Sequence, residues 1–410
     1  MHILIISAVF PPEPVTSSIT SEHIAIGLVK AGHQVTVITG YPSRPSPDMF
    51  SDNLASYSTR ERNKDGVYVI RVKSYKSKKS TAMVRLLENI SFGINSLLKT
   101  IPVKPDVVYS NSWPIFATGM ISLWCSMKHI PIIVSVQDIH PESPIQLGKL
   151  PPHGMITDIM RAIDTRISQK AAALVAISEN FAEFYRTVRK VDPSNIHMIP
   201  NWLDADEITP SDRENAFRTK YSFDPKEFIV MYVGNIGSVA GVEIMVEVAN
   251  ILRQTPYLQF VIVGDGSGRD ECKSLAKKYQ LSNVQFIGSI PREELSNAQA
   301  IADVLVLPTR PGGAMNSVPS KLISYMMAQR AILAAVDKQS DTARIINAVG
   351  CGSCVEPGDS NAMAAQILNW QQSKDTLHTM GIKGREYAIE QFSRQICVPK
   401  IVKIIENVHR

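Results

Sequence analysis

Short apolar runs rich in Val and Ile alternate with longer stretches of three- and four-residue periodicity, the pattern of parallel strands joined by crossover helices. In the first half, the runs at 2–7, 34–39, 67–72, 106–110, 132–136, 173–177 and 196–200 read as strands. Helical periodicity occupies 18–31, 82–100, 114–128 and 157–172 between them. The segment 207–224 is charged and poor in apolar residues, which predicts a linker or entry segment. The pattern then restarts, with strands at 228–233, 259–263, 284–287, 304–307, 332–335 and 353–355, and the chain from 361 onward reads as helix. Two doubly wound sheets in tandem are predicted, and open parallel sheets take ligands at the carboxyl ends of their strands.

A length of 410 residues suits two domains of ordinary size. With 44% hydrophobic and 20% charged residues, the composition excludes wholesale disorder, collagen-like repeats and a disulfide scaffold. The five cysteines are scattered and odd in number, as expected of a reducing compartment. Cys351-Gly352-Ser353-Cys354 has the spacing of a metal knuckle or redox pair, yet no second pair or nearby His accompanies it. It reads instead as a turn into a buried strand. The uncharged run 107–127 is interrupted by Ser110-Asn111-Ser112-Trp113-Pro114, so it reads as strand, turn and helix rather than a membrane span. The first seven residues lack the basic region and apolar length of a signal peptide, which predicts a cytoplasmic protein without its own span.

The net charge of +5 is unevenly placed. Between Arg60 and Lys104 lie eleven basic and three acidic residues, so the rest of the chain is slightly acidic. Within this segment Met83, Leu86, Leu87, Ile90, Ile94, Leu97, Leu98 and Ile101 recur at helical spacing. Such a stripe packs on a sheet, or faces lipid with help from Lys73, Lys76, Lys78 and Lys79. Nucleic acid is not expected, because aromatics are not interleaved with these cations.

Three turns carry candidate chemistry. Gly264-Asp265-Gly266-Ser267-Gly268-Arg269 follows a strand, but Arg269 occupies the position where a dinucleotide fingerprint needs a small residue, so it reads as a tight turn. Gly234-Asn235-Ile236-Gly237, leading to a helix near Gly241, offers free N–H groups to an anion. Pro319-Ser320-Lys321-Leu322 opens a further helix with a hydroxyl and a cation, and a Lys there opposes the helix dipole unless an anion, such as a diphosphate, compensates it. A solvated surface Lys is the plain alternative.

These turns, with Phe10-Pro11-Pro12-Glu13, Lys30-Ala31-Gly32-His33, Val136-Gln137-Asp138, Ile177-Ser178-Glu179 and Pro200-Asn201-Trp202, form an ordered set over nearly the whole chain. Together they resemble the retaining nucleotide-sugar glycosyltransferases of family 4 (glycosyl transferases group 1), in particular the bacterial O-antigen, capsule and exopolysaccharide subgroup. The resemblance implies a GT-B fold, two Rossmann-like doubly wound domains facing across a cleft. It places an acceptor-binding domain at 1–205, a nucleotide-sugar-binding domain at 206–392 and a returning helix at 393–410. It also implies no cofactor and no metal, since helix N-termini and basic side chains neutralise the leaving diphosphate.

The departures are informative. Asn235 and Ala240 stand where many relatives carry Arg and Lys, so Lys321 becomes the expected diphosphate contact. The usual glutamate pair is replaced by Asn316 and Ser324, and the His of the usual His-Asp motif by Gln137. The resemblance therefore assigns Asp138 and Lys321 to catalysis, although Asp138 also suits a strand-end cap. Gly234, Asn235, Gly237, Gly266, Ser320, Lys321, Asn316 and Ser324 are assigned to the donor, with backbone near Ser289 and Ile290 reading the base. Pro12, Glu13, Thr16 and Ser17, on a loop entering a helix capped by Thr16, Ser17 or Ser18, are assigned to the acceptor, as are His140 and Glu142 beside Asp138. The expectation is a hexosyl- or amino-deoxysugar transferase, peripheral to the inner membrane at an anionic surface, acting on a polyprenyl-diphosphate-linked saccharide. A nucleotide-sugar epimerase and a non-catalytic partner protein are the alternatives.

Overall fold

The computed structural model describes residues 1–43, 50, 59–75, 82–146, 148, 150–237, 240–311 and 319–409, with backbone only for 82 and 83. The chain divides into two compact units, Met1–Pro200 with Cys397–Arg410, and Asn201–Ile396.

The first unit runs β1 (His2–Ile6), α1 (Thr16–Lys30), β2 (Gln34–Gly40), β3 (Arg60–Arg62), β4 (Tyr68–Val72), α2 (Ala82–Thr100), β5 (Val107–Asn111) and α3 (Ile115–Lys128). It continues with β6 (Ile132–Val136), α4 (Glu142–Gln146), α5 (Met155–Lys170), β7 (Ala173–Ala176), α6 (Glu179–Thr187) and β8 (Ile196–Met198). Among the described residues the strands form one sheet in the order β3-β4-β2-β1-β5-β6-β7-β8. All neighbours are parallel except β3, which lies antiparallel on β4. Leu4 and Ile6 of β1 pack with Phe92, Ile121 and Ile167 from α2, α3 and α5, while Ile3 and Ile5 are fully buried on the opposite face. Burial on both faces is why parallel strands read as unbroken apolar runs. Polar β3 has no such signature, and the sequence pattern passes over it.

The second unit holds α7 (Ala216–Lys220), β9 (Phe228–Val233), α8 (Glu243–Ile251), β10 (Leu258–Val263), α9 (Arg269–Lys278), β11 (Val284–Ile287), α10 (Leu295–Ala300) and β12 (Val304–Pro308). It ends with α11 (Ser320–Met327), β13 (Ala331–Ala335), α12 (Asp341–Val349), β14 (Gly352–Val355), α13 (Ser360–Gln371) and α14 (Lys374–Phe392). Its strands are all parallel, in the order β11-β10-β9-β12-β13-β14. Side chains alternate across the pleat. Ile229, Met231 and Val233 of β9 join one core, and Phe228, Val230 and Tyr232 the other.

A last helix, α15 (Arg394–His409), begins in the second unit and packs within the first. A Cβ at Gly27 of α1 would lie 2.3 Å from Val398 Cγ1, so only glycine allows this approach. His33 Nε2 and Glu406 Oε1 meet at 3.0 Å beside it.

Two expectations need correction. The segment 207–224 is not a free linker: Ile208, Phe217 and Phe223 enter the second unit's core, and charged Arg213 is tied to Asp303 at 3.0 Å. Helix α1 starts at Thr16 after extended Val15 and has no side-chain cap, so the hydroxyls of Thr16, Ser17 and Ser18 do not cap it. None of the five cysteines forms a disulfide; Cys351 is buried and Cys354 lies within β14.

Candidate active site

In the second unit, the turns after β9 and β10 are stacked backbone on backbone. Gly264 has φ +133°, and a Cβ there would sit 2.0 Å from Gly234 O. The contact is secured when Ile236 N–H donates to Asp265 O at 2.8 Å and Gly268 N–H to Ile236 O at 2.8 Å. Gly234 N–H is likewise spent on Val263 O. Among the described residues no carbonyl accepts from the N–H of Asn235 or Gly237, which leaves both available to a ligand. Helices α8, α9 and α11 begin at this end of the sheet, and none has a side-chain cap. By contrast α7, α12 and α13 are capped by Asn215, Ser340 and Asp359. Uncapped N-termini grouped at the carboxyl end of a parallel sheet suit an anion.

Lys321, in the first turn of α11, crosses this region. Its Cε would lie 2.2 Å from a Cβ at Gly234, so the stem rests on bare backbone. Its Nζ stands 5.4 Å from the Tyr232 ring centroid. Burial pushes the ammonium below the ordinary lysine range, and no carboxylate among the described residues pairs with it. The helix is fixed one turn later. Tyr325, fully buried, accepts from Val233 N–H at 3.0 Å and donates to Val233 O at 3.1 Å, bolting α11 to the end of β9. Tyr232 donates to Asn235 O at 2.6 Å and holds the glycine turn from below.

The other expected donor residues divide. Asn235, Ser289 and Ser320 are exposed, Gly237, Gly266 and Ile290 partly so. Ser324 corrects the expectation: it is buried, and its hydroxyl accepts from Gln299 Nε2 at 2.7 Å between α10 and α11. Asn316 lies outside the described residues. The structure adds two cations that the sequence reading did not assign to the donor site. Arg310, after β12, pairs with Glu243 in the first turn of α8 at 2.6 Å. Arg269 stands beside Asp265 at 3.7 Å, with its guanidinium 3.9 Å from a Cβ position at Gly288. The residue that breaks a dinucleotide fingerprint thus supplies charge to the turn.

In the first unit, the loops after β1, β2, β5 and β6 meet at the carboxyl edge. Pro12 and Thr16 are exposed and Ser17 partly so. Glu13 is 2% exposed, and its carboxylate accepts from Phe10 N–H at 3.3 Å and Ser43 N–H at 2.9 Å. It therefore fastens two loops instead of facing an acceptor. Arg71, buried within β4, donates to Pro11 O at 2.8 Å and assists the same closure. A charged residue inside an apolar strand was the available signal for it.

Asp138 is exposed just beyond β6. Glu142, expected at the acceptor, instead accepts from buried Arg189 at 2.7 Å. Arg189 also donates to Asp164 Oδ2 at 2.7 Å and His140 O at 2.9 Å, so this network holds the turn carrying Asp138. Burial pushes the Asp164 carboxyl up to about 6, against the pull of Arg189. His140 is 5% exposed, with its ring 5.4 Å from Trp113. Burial pushes its imidazole down to about 4, and among the described residues neither ring nitrogen has a hydrogen-bond partner.

Trp113 also lines a cavity of about 20 Å³, with Ala8, Gly40, Tyr41, Ser43, Ser74, Glu88, Asn89, Phe92 and Pro114. Helix α2 forms one wall, and its apolar stripe divides: Leu97 packs on the first unit's core, as expected of a helix on a sheet, while other members face outward. Asn89, Phe92, Ser96 and Thr100 are buried, whereas Leu87, Ile94 and Leu98 are exposed, as is Ile101 just beyond. Exposed Leu123 and Met127 lie on α3, which packs against α2. Lys76, Lys78 and Lys79 lie outside the described residues.

Comparison with known proteins agrees with this architecture. The family described as Glycosyl transferases group 1 matches residues 213–387, and the Glycosyl transferase 4-like domain matches 17–202. The chain belongs to the group 1 glycosyltransferases of GT-B fold. It is 27% identical to the glycosyltransferase WbjE of Pseudomonas aeruginosa over 64% of this chain and 65% of that protein. It is 23% identical to the colanic acid biosynthesis glycosyl transferase WcaI of Escherichia coli K12 over 90% of this chain and 91% of that one. Among solved structures, HepE of Anabaena in complex with UDP superposes with a TM-score of 0.74 at 13% identity, over 99% of this chain and 100% of that one.

Proposed function

We propose that this protein transfers a sugar from a nucleoside-diphosphate sugar to a lipid-linked saccharide, with retention of anomeric configuration, in building a bacterial surface polysaccharide. The observation that carries this reading is Lys321, a partly buried ammonium with no carboxylate partner among the described residues, beside the N–H groups of Asn235 and Gly237, which no described carbonyl engages. A diphosphate supplies the missing charge and the missing acceptors together. The UDP held by the structurally similar HepE and the colanic acid in the name of WcaI favour the same substrate classes.

In the proposed reaction, the bond from the anomeric carbon to the diphosphate oxygen breaks as the acceptor hydroxyl attacks from the same face. The departing oxygen takes the hydroxyl proton. Lys321 and the turn N–H groups stabilise the negative charge developing there, so the protein needs to supply neither a metal nor a strong nucleophile. Asp138, kept in place by the Arg189 network, is assigned to orient the reacting sugar. The exposed stripe of α2, flanked by Arg85 and Lys99, is assigned to dock the protein on an anionic bilayer where a lipid-linked acceptor resides.

Calorimetric titration with UDP and GDP tests the donor site. One nucleotide binds, and Lys321→Ala weakens it at least tenfold, about 1.4 kcal/mol. Absence of binding by either nucleotide, with acceptor lipid present, refutes the reading. The retaining assignment fails if the product anomer, read by proton NMR, is inverted relative to the donor.

A further inference from the structure

Lys321 and Tyr232 meet although they start from opposite faces of the second unit's sheet. Tyr232 joins the core that holds Phe228, Val230 and Ile236, whereas Leu322, Ile323 and Tyr325, beside Lys321 in α11, join the other. The lysine passes from one face to the other over Gly234, whose missing side chain leaves the gap that the stem fills. Its Nζ then stands over the Tyr232 ring, 5.4 Å from the centroid. The ring is itself fixed: Tyr232 is 1% exposed, and its hydroxyl donates to Asn235 O at 2.6 Å.

We propose that Tyr232 is a positioning residue of the donor site, whose ring seats the Lys321 ammonium beside the glycine turn with its charge left uncompensated for the diphosphate. The inference rests on the transferase reading above and adds the residue that readies its cation. Charge explains why an aromatic ring suits this place. An acid beside Lys321 would hold it as an ion pair and then oppose the incoming diphosphate. A ring attracts the ammonium through its quadrupole, by about 0.5–2 kcal/mol, and presents no like charge to an anion. Burial pushes the Tyr232 phenol above its ordinary range, so the ring stays neutral near pH 7. The neighbouring stretches 238–239 and 312–318 lie outside the described residues, and their sequence contains no ionisable side chain. Tyr232 has a second and separable task, because its hydroxyl and not its ring holds Asn235.

Substitution separates the two tasks. In NMR of the ligand-free full chain with isotopically labelled lysine, the Lys321 Cε–Hε signal, identified by its loss in Lys321→Ala, lies upfield of the other lysines through the ring current. Tyr232→Phe keeps that position, and Tyr232→Leu returns the signal to the ordinary lysine range. Calorimetry with UDP and GDP supplies the functional half. With Lys321 present, the step from Tyr232→Phe to Tyr232→Leu weakens nucleotide binding about threefold or more. In the Lys321→Ala background the same step costs nothing further, whereas loss of the hydroxyl is felt in both. A ring that only packs the core weakens binding equally in the two backgrounds, and that result overturns the proposal. So does a wild-type Lys321 signal without an upfield shift, a result that needs no variant to fold at Tyr232. Failure of the transferase reading looks different: neither nucleotide binds, while the upfield signal and its dependence on the ring remain.

Discussion

Lys321 and Gly234 act as a pair. The lysine stem occupies the volume that any side chain at 234 would claim, and Gly234 has φ +149°. Gly234→Ala therefore both strains the backbone and expels the cation from its seat. Calorimetry should show nucleotide binding weakened at least as much as by Lys321→Ala, together with a loss of stability of about 1–3 kcal/mol that the lysine variant does not share. Equal stability of the two variants would contradict the packing described. At this scale the sequence disclosed the glycines and the lysine, because their types are restricted by conformation and charge. It was silent on Glu13 and Ser324, whose polar atoms are consumed by Ser43 and Gln299 from distant parts of the chain.

The elements flanking β6 join two titrations of opposite sign. His140 is pushed down to about 4, so between pH 6.5 and 4 the unfolded chain binds a proton that the folded chain refuses. Its contribution is intact above pH 6.5 and is lost as pH falls, by up to about 3 kcal/mol. Asp164, pushed up to about 6, retains a proton over pH 3.8–6 that the unfolded chain has released, so its contribution favours acid. Tyr185, Arg189 and Glu142 surround it. Urea unfolding at pH 7 and pH 4.5 separates the two: His140→Phe should keep more of its neutral-pH stability than the wild type does. Parallel losses in both proteins would exclude His140 as the acid-sensitive group. The sheet elements were legible because strands covered on both faces advertise themselves in apolar runs. Edge strand β3 and the rotation of α2 were not, since polarity alone does not tell which face of a helix meets a neighbour.

Across the molecule, the two doubly wound sheets follow directly from the restart of the alternating pattern after 224. The basic and apolar features of 60–104 were also visible, but only the structure shows that Leu87, Ile94 and Leu98 face outward. Among the described residues no helix is long and apolar enough to cross a membrane. Sedimentation with vesicles containing phosphatidylglycerol should capture the protein, less so as salt rises. Leu98→Glu combined with Ile101→Glu should reduce capture at least tenfold, because each burial is worth about 1.5–3 kcal/mol. Capture unaffected by both changes would move the contact elsewhere. Helix α15 has a different kind of consequence. Val398 and Glu406 complete the packing on α1, yet all of Asn201–Ile396 is translated between the body of the first unit and this helix. On the ribosome the first unit therefore waits, with Gly27 and its neighbours uncovered, while the whole second unit emerges. Nascent chains stalled before residue 397 should expose that groove to proteases or chaperones.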